Sequence, residues 1–139
     1  MIAGRALVSG RCEAPLIVLS APLSFWGGVD AASGRIVEAA HPERGASLAG
    51  MVVALPAAKG SSSSGSVIAE MLRAGCGPAG MIIGEADAIL AAGVITARML
   101  YGIDCPLAVA PLDGLEGAAF AAIHAGEERA EIWIGRKPG

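Results

Sequence analysis

The order of elements between residues 51 and 84 restricts this chain's possible folds more than any other feature. "MVVAL" (51–55) is a continuous β-branched and aliphatic run, the pattern of a strand buried on both faces. A short loop, "KGSSSSG" (59–65), follows it. "GSVIAEMLRAG" (65–75) then sets Val67, Ile68, Met71 and Leu72 on one stripe of an amphipathic helix that stops at Gly75. "AGMIIG" (79–84) is a second buried strand. A strand, loop, helix and strand of this length close as a right-handed parallel crossover, so the fold class is α/β.

The flanks extend that unit. "EADAILAAGVITARMLYG" (85–102) reads as a second helix interrupted by glycine, and "CPLAVAPL" (105–112) as a third core strand. The N-terminal third is β-rich, with short strand-prone segments at "RALVSG" (5–10), "PLIVL" (15–19) and "SGRIVE" (33–38). Between the last two lies a turn-rich loop with Phe25 and Trp26 beside Gly27 and Gly28, which suits either a hydrophobic plug or the wall of a cleft. The C-terminal stretch "GLEGAAFAAIHAGEERAEIWIG" (114–135) suggests a short helix and a closing strand around Ile132 to Ile134. No internal repeat or linker divides the chain, and residues 1–139 are expected to form one domain.

Composition narrows the class of function. Ten Lys and Arg residues are scattered through a chain of net charge −3, which gives no footprint for nucleic acid. No apolar run approaches the roughly 18 residues of a membrane span, and the first residues lack the apolar core of a secretory signal. A cytoplasmic protein without a membrane partner is expected. Cys12, Cys76 and Cys105 suit neither a disulfide framework nor a local metal site and are read as reduced, mostly buried thiols. His41 precedes a proline and is expected in an exposed turn, while His124 is expected on an alanine-rich helical face. With 54% hydrophobic and 17% charged residues, a domain this small is expected to hide a face against another chain.

The serine loop lies at the carboxyl end of a buried strand and the amino end of a helix, where open α/β folds hold ligands. Free backbone N–H groups and the helix dipole favour an anion there, and Lys59 adds a full charge. The loop is not a P-loop, because its lysine precedes Gly60 and no glycine stands five positions earlier. Neither histidine has a context that points to a Ser-His-Asp triad. A serine made basic at this position needs dense positive charge and oriented N–H donors, and the loop supplies part of both.

With these residues in view, the chain resembles the small subunit, or swivel domain, of the aconitase X family. The resemblance is carried by "SFWGGVDAASGRIVE" (24–38), "GASLAGMVVALPAAKGSSSSGSVI" (45–68) and "AGMIIGEADAILAAGVITA" (79–97), in that order. It implies a swivelling β/β/α fold and a hydro-lyase that works only with a large catalytic subunit. It implies an iron or iron–sulfur centre on that subunit, with no metal ligand in this chain. It puts Ser61 in the place of the proton-abstracting serine, and the loop itself offers Lys59, Gly60 and Ser62 as contacts for a small anionic hydroxy acid. Family substrates are cis-3-hydroxy-L-proline and a phosphorylated mevalonate, and the alanine-rich, lysine-poor composition favours the former. The chain departs from the pattern at Ser62, Ser63 and Ser64, and at Gly84, where many members carry asparagine before the residue matching Glu85. Ser63 and Ser64 are expected to cap the helix or face solvent. A non-catalytic anion-binding or docking module is the competing expectation.

Overall fold

The computed structural model describes residues 1–136. Seven strands close into a barrel in the order β1-β5-β4-β3-β2-β6-β7. The strands are β1 (Ile2–Val8), β2 (Gly10–Val18), β3 (Val52–Leu55), β4 (Gly80–Ile83), β5 (Leu107–Val109), β6 (Phe120–Ala125) and β7 (Arg129–Gly135). β2, β3, β4 and β5 run parallel, and β1, β6 and β7 complete the ring through antiparallel pairs. Helix α2 (Ser64–Arg73) joins β3 to β4, and α3 (Ala88–Tyr101) joins β4 to β5. The strand, loop, helix and strand expected from residues 51–84 are all present, and the second crossover follows the same plan.

Alternation along each strand sorts side chains into two cores. Val52 and Ala54 of β3, Ile82 of β4 and Ala108 of β5 point into the barrel with Ala121, Ile123 and Ala125 of β6. Val53, Leu55, Met81, Ile83 and Leu107 point outward and are covered by the helices. This two-sided burial is why the central strands are apolar at every position. A narrow barrel leaves little interior volume, and alanine fills much of it. Ile68, Met71 and Leu72 of α2 and Leu90, Val94 and Ala97 of α3 seal the outer core, as the apolar spacing of α2 requires.

Two glycines let the helices meet. A Cβ on Gly93 of α3 would stand 2.8 Å from the Gly65 Cα of α2 and 2.5 Å from Ile68 Cγ2. The glycine that interrupts the α3 pattern is therefore the point of closest helix approach. Arg98 of α3 ties the other end of the helix to the β1–β2 corner, donating to the Ser9 carbonyl and, at 2.8 Å, to Asp104 Oδ1.

Three expectations are corrected. "SGRIVE" forms no strand: Ile36 and Arg35 make isolated bridges to Val29 and Ser47 within the long β2–β3 connection. Both edges of β2 are already paired, to β3 and β6, so this segment folds back on itself. The C-terminal stretch has one 3₁₀ turn (Asp113–Leu115) and then the β6–β7 hairpin, so His124 lies on a strand, its ring tilted 60° to that of Trp133 at 4.6 Å between ring centroids. His41 is buried, not exposed. Its Nδ1 accepts from the Glu43 N–H at 3.1 Å, which leaves Nε2 to donate to the Ala21 carbonyl at 3.2 Å. Among the described residues no helix is long and apolar enough to cross a membrane.

Replacing Gly93 with alanine forces α2 and α3 apart and should lower the unfolding free energy by about 1–3 kcal/mol, the usual scale of overpacking. Urea denaturation should show a lower midpoint with an unchanged slope. An unchanged midpoint would mean that the helices do not touch there.

Candidate active site

The serine loop leaves the carboxyl end of β3 and turns into α2. Its entry is set by Gly60, whose φ of +94° is disfavoured for any residue with a side chain. Space forbids one as well, because a Cβ at Gly60 would stand 3.1 Å from Ser24 Cβ and closer still to the Ser24 hydroxyl. The loop is anchored on its other side by the Lys59 N–H, which donates to the Leu23 carbonyl at 3.1 Å. The serine loop and the aromatic loop are thus one packed unit.

Ser61 is half-buried. Its Oγ accepts the Ser63 N–H at 3.0 Å, and its carbonyl accepts the Ser64 N–H at 3.1 Å. A backbone donor at a helix N-terminus is therefore already aimed at the Ser61 oxygen, and such a donor favours the ionised form of the group that accepts it. Ser63 occupies the cap position of α2 but makes no side-chain capping bond. Ser64 is buried, contrary to the expectation of a solvent-facing residue, and its Oγ accepts the Trp26 N–H at 3.3 Å. Its burial was readable in the spacing, since Ser64 precedes Ile68 and Leu72 by one and two helical turns on the same stripe.

Of the aromatic pair, Phe25 takes the place expected of a hydrophobic plug and Trp26 faces outward. Phe25 is fully buried and plugs the outer core, while Trp26 is 58% exposed. The single turn α1 (Phe25–Gly28) that carries them is held by the Ser24 hydroxyl, which donates to the Trp26 carbonyl at 2.8 Å. The Trp26 backbone is thus held beside the serine loop by hydrogen bonds at both its N–H and its carbonyl.

Lys59 is paired with Glu38, Nζ to Oε1 at 3.4 Å. Glu38 was not singled out by sequence reasoning, because the contact spans the irregular β2–β3 connection. The pair is solvent-accessible on both sides and is worth about 0–1 kcal/mol, so an incoming anion can replace the Glu38 carboxylate. A small cavity of about 90 Å³ brings together Lys59, Gly60, Ser61, Ser64 and Asp87. Asp87 contributes to the frame by capping α3, accepting the Leu90 N–H at 2.9 Å. Ser62 is exposed and lines the neighbouring groove between α2 and α3, not this cavity. Glu85 is exposed beyond the end of β4, and Gly84 is required by the close approach of the Pro56 carbonyl.

The chemistry of the possible metal ligands is equally specific. Among the described residues no group of three or more His, Cys, Asp or Glu side chains converges on one point, so these residues do not fit an iron or iron–sulfur centre. All three cysteines are free, and burial pushes the Cys12 thiol up to about 11 and the Cys105 thiol up to about 12. Burial also raises Cys76, whose thiol donates to the Ala31 carbonyl at 3.0 Å. Thiols that resist ionisation are poor nucleophiles and poor ligands.

A family profile for the aconitase X swivel domain matches residues 1–132. The phosphomevalonate dehydratase small subunit of Thermococcus gammatolerans is 43% identical over 103 residues, 73% of this chain and 79% of that protein. The cis-3-hydroxy-L-proline dehydratase of Pseudomonas aeruginosa is 36% identical over 108 residues, 78% of this chain but 19% of that longer enzyme. The crystal structure of holo-form aconitase X from Thermococcus kodakaraensis superposes with a TM-score of 0.83 at 32% identity, covering 95% of this chain and 97% of that one. The chain belongs to the aconitase X swivel-domain family, and its mixed parallel and antiparallel barrel with flanking helices is that domain's fold.

Two outcomes test the site's geometry. Ser64→Ala removes the acceptor of the Trp26 N–H and should speed deuterium exchange of that amide by about tenfold, the equivalent of one hydrogen bond. In the native chain at pH 8, thiol reagents should label Cys105 far more slowly than after denaturation, because its raised pKa and burial keep it a neutral thiol. Equal labelling rates would contradict the burial described above.

Proposed function

We infer that this chain is the small-subunit half of a hydro-lyase, in which Ser61 takes the proton alpha to the carboxylate of a small hydroxy acid. The observation that carries the reading is the Ser61 Oγ, set at the α2 N-terminus with the Ser63 N–H donating to it. Hydrogen-bond donors fixed before the reaction lower the cost of an alkoxide without reorganisation in the transition state. Lys59 exchanges Glu38 for the substrate carboxylate, which draws the α-carbon to Ser61 and leaves a positive charge beside the developing negative one. The Gly60 turn brings the backbone close enough for that anion, and Ser62 stands at the rim. The C–H bond breaks as the Ser61 O–H bond forms. The C–H electron pair becomes the α,β double bond as the β-hydroxyl leaves, and an iron or iron–sulfur centre on the large subunit, which the family resemblance implies, would supply the Lewis acid for that departure.

The substrate favoured is cis-3-hydroxy-L-proline. Of the residues lining the Ser61 cavity, Lys59 alone is basic, and Glu38 already balances its charge. One exchangeable cation suits one carboxylate, whereas a phosphate ester needs further positive charge. The alternative substrate, phosphomevalonate, has its own support in the 43% identity to the Thermococcus gammatolerans small subunit.

The experiment is co-expression with the cognate large subunit and assay of both acids. The wild-type complex should dehydrate cis-3-hydroxy-L-proline in preference to phosphomevalonate, and Ser61→Ala should lower kcat by about 10²–10⁴-fold, the range for loss of a general base. Full turnover by the Ser61→Ala complex would end the catalytic assignment. A chain that binds anions but supports no dehydration with any large subunit would favour a binding module.

A further inference from the structure

Helix α3 has an unusual surface for a helix that faces water. Its inner face, Leu90, Gly93, Val94 and Ala97, is buried against the barrel. Its outer arc holds Ala88, Ile89, Ala92, Ile95, Met99 and Leu100, with Thr96 and, at the C-terminal end, Tyr101 as its uncharged polar residues. Met99 is 78% exposed and Leu100 67%. The only charged side chain on the helix, Arg98, is turned to Ser9 and Asp104. A helix whose outer face is mainly apolar belongs in a setting where that face is covered.

This face is continuous with the reaction loop. A groove of about 370 Å³ runs between α2 and α3, floored by Gly65 and Gly93 and walled by Ala69, Ile89, Ala92 and Thr96. Ile89 lines both this groove and the small cavity around Ser61, and Ser62 stands at the groove's near end. The other exposed apolar cluster, Phe120, Trp133 and Ile134 on the β6–β7 hairpin, lines a separate cleft that shares no residue with the serine loop.

We propose that the α2–α3 groove and the outer face of α3 form the seat of the catalytic large subunit. The inference rests on the reading of Ser61 as half of a two-chain site. That half supplies a base but no group to assist the departing hydroxyl, so the completing chain has to close over the Ser61 rim. From that rim the groove is lined by no charged residue, and Arg98 is the one charged residue on α3. A second copy of this chain would bring another serine loop and would not complete the site. The complementary surface on the large subunit is apolar, because a charge placed against Met99 or Leu100 would lose its water without gaining a partner.

The test is the affinity of the full chain for its cognate large subunit, measured by calorimetry for wild type, Met99→Glu/Leu100→Glu, the milder Met99→Gln/Leu100→Gln, and Ile134→Glu as control. The glutamate pair should weaken binding by at least about 100-fold and the glutamine pair by about tenfold, since both exchange buried apolar contact for desolvated polar groups. The control should bind as wild type, and the glutamine pair should keep the wild-type urea midpoint. Unchanged affinity in both pairs overturns the inference. So does light scattering that finds the isolated chain dimeric, with the dimer dissolved by the substitutions and the heterocomplex intact. Turnover is scored separately. A wild-type complex that forms through this face but dehydrates neither acid leaves the docking surface standing and removes the proposed activity.

Discussion

Closure of the barrel by the β1–β7 pair is the constraint on which the rest of the structure depends. It leaves no free edge, so the parallel strands β2 to β5 sit in fixed register between antiparallel neighbours. β3 then ends at one defined height, and the chain has to turn outward there to begin α2. The serine loop occupies that turn. Its backbone donors are consequently oriented by the fold itself, and the Ser61 oxygen meets the Ser63 N–H.

A second layer of order comes from the long connection between β2 and β3. It adds no strand, yet it delivers Ser24, Trp26 and Glu38 to the serine loop, each through a specific contact: Ser24 packed on Gly60, Trp26 bonded to Ser64, and Glu38 paired with Lys59. The buried His41 helps hold this connection in place by bridging the Ala21 carbonyl and the Glu43 N–H. The loop that looks least regular in the fold is therefore the one that shapes the site.

The β3–α2–β4 unit was legible in the sequence because its strands are buried on both faces and its helix on one, patterns that differ clearly. The closing strand around Ile132 to Ile134 was legible too and is part of β7, but its partner β6 was not, because alanine at 121, 122 and 125 mutes the two-residue alternation and mimics a helix. His41 was misread for a related reason: a His-Pro pair looks like an exposed turn, and its burial depends on a carbonyl twenty residues earlier in the chain. At the site, the serine loop could be located from its place between strand and helix, while Ser61 was singled out among its serines by the family resemblance. Glu38 could not, since its contact with Lys59 exists only once the irregular connection has folded. Exposed apolar residues gather on the outer arc of α3 and on the β6–β7 hairpin.

The central claim is that Ser61 stands at the substrate's α-carbon in the assembled enzyme. The most direct measurement is a crystal structure of the complex with pyrrole-2-carboxylate, a planar analogue of the deprotonated ring. The account predicts the Ser61 Oγ within about 3.5 Å of the α-carbon, a near-attack distance, with the ligand carboxylate on Lys59 in place of Glu38. An analogue bound with a basic group of the large subunit at that carbon, and Ser61 out of reach, would contradict it.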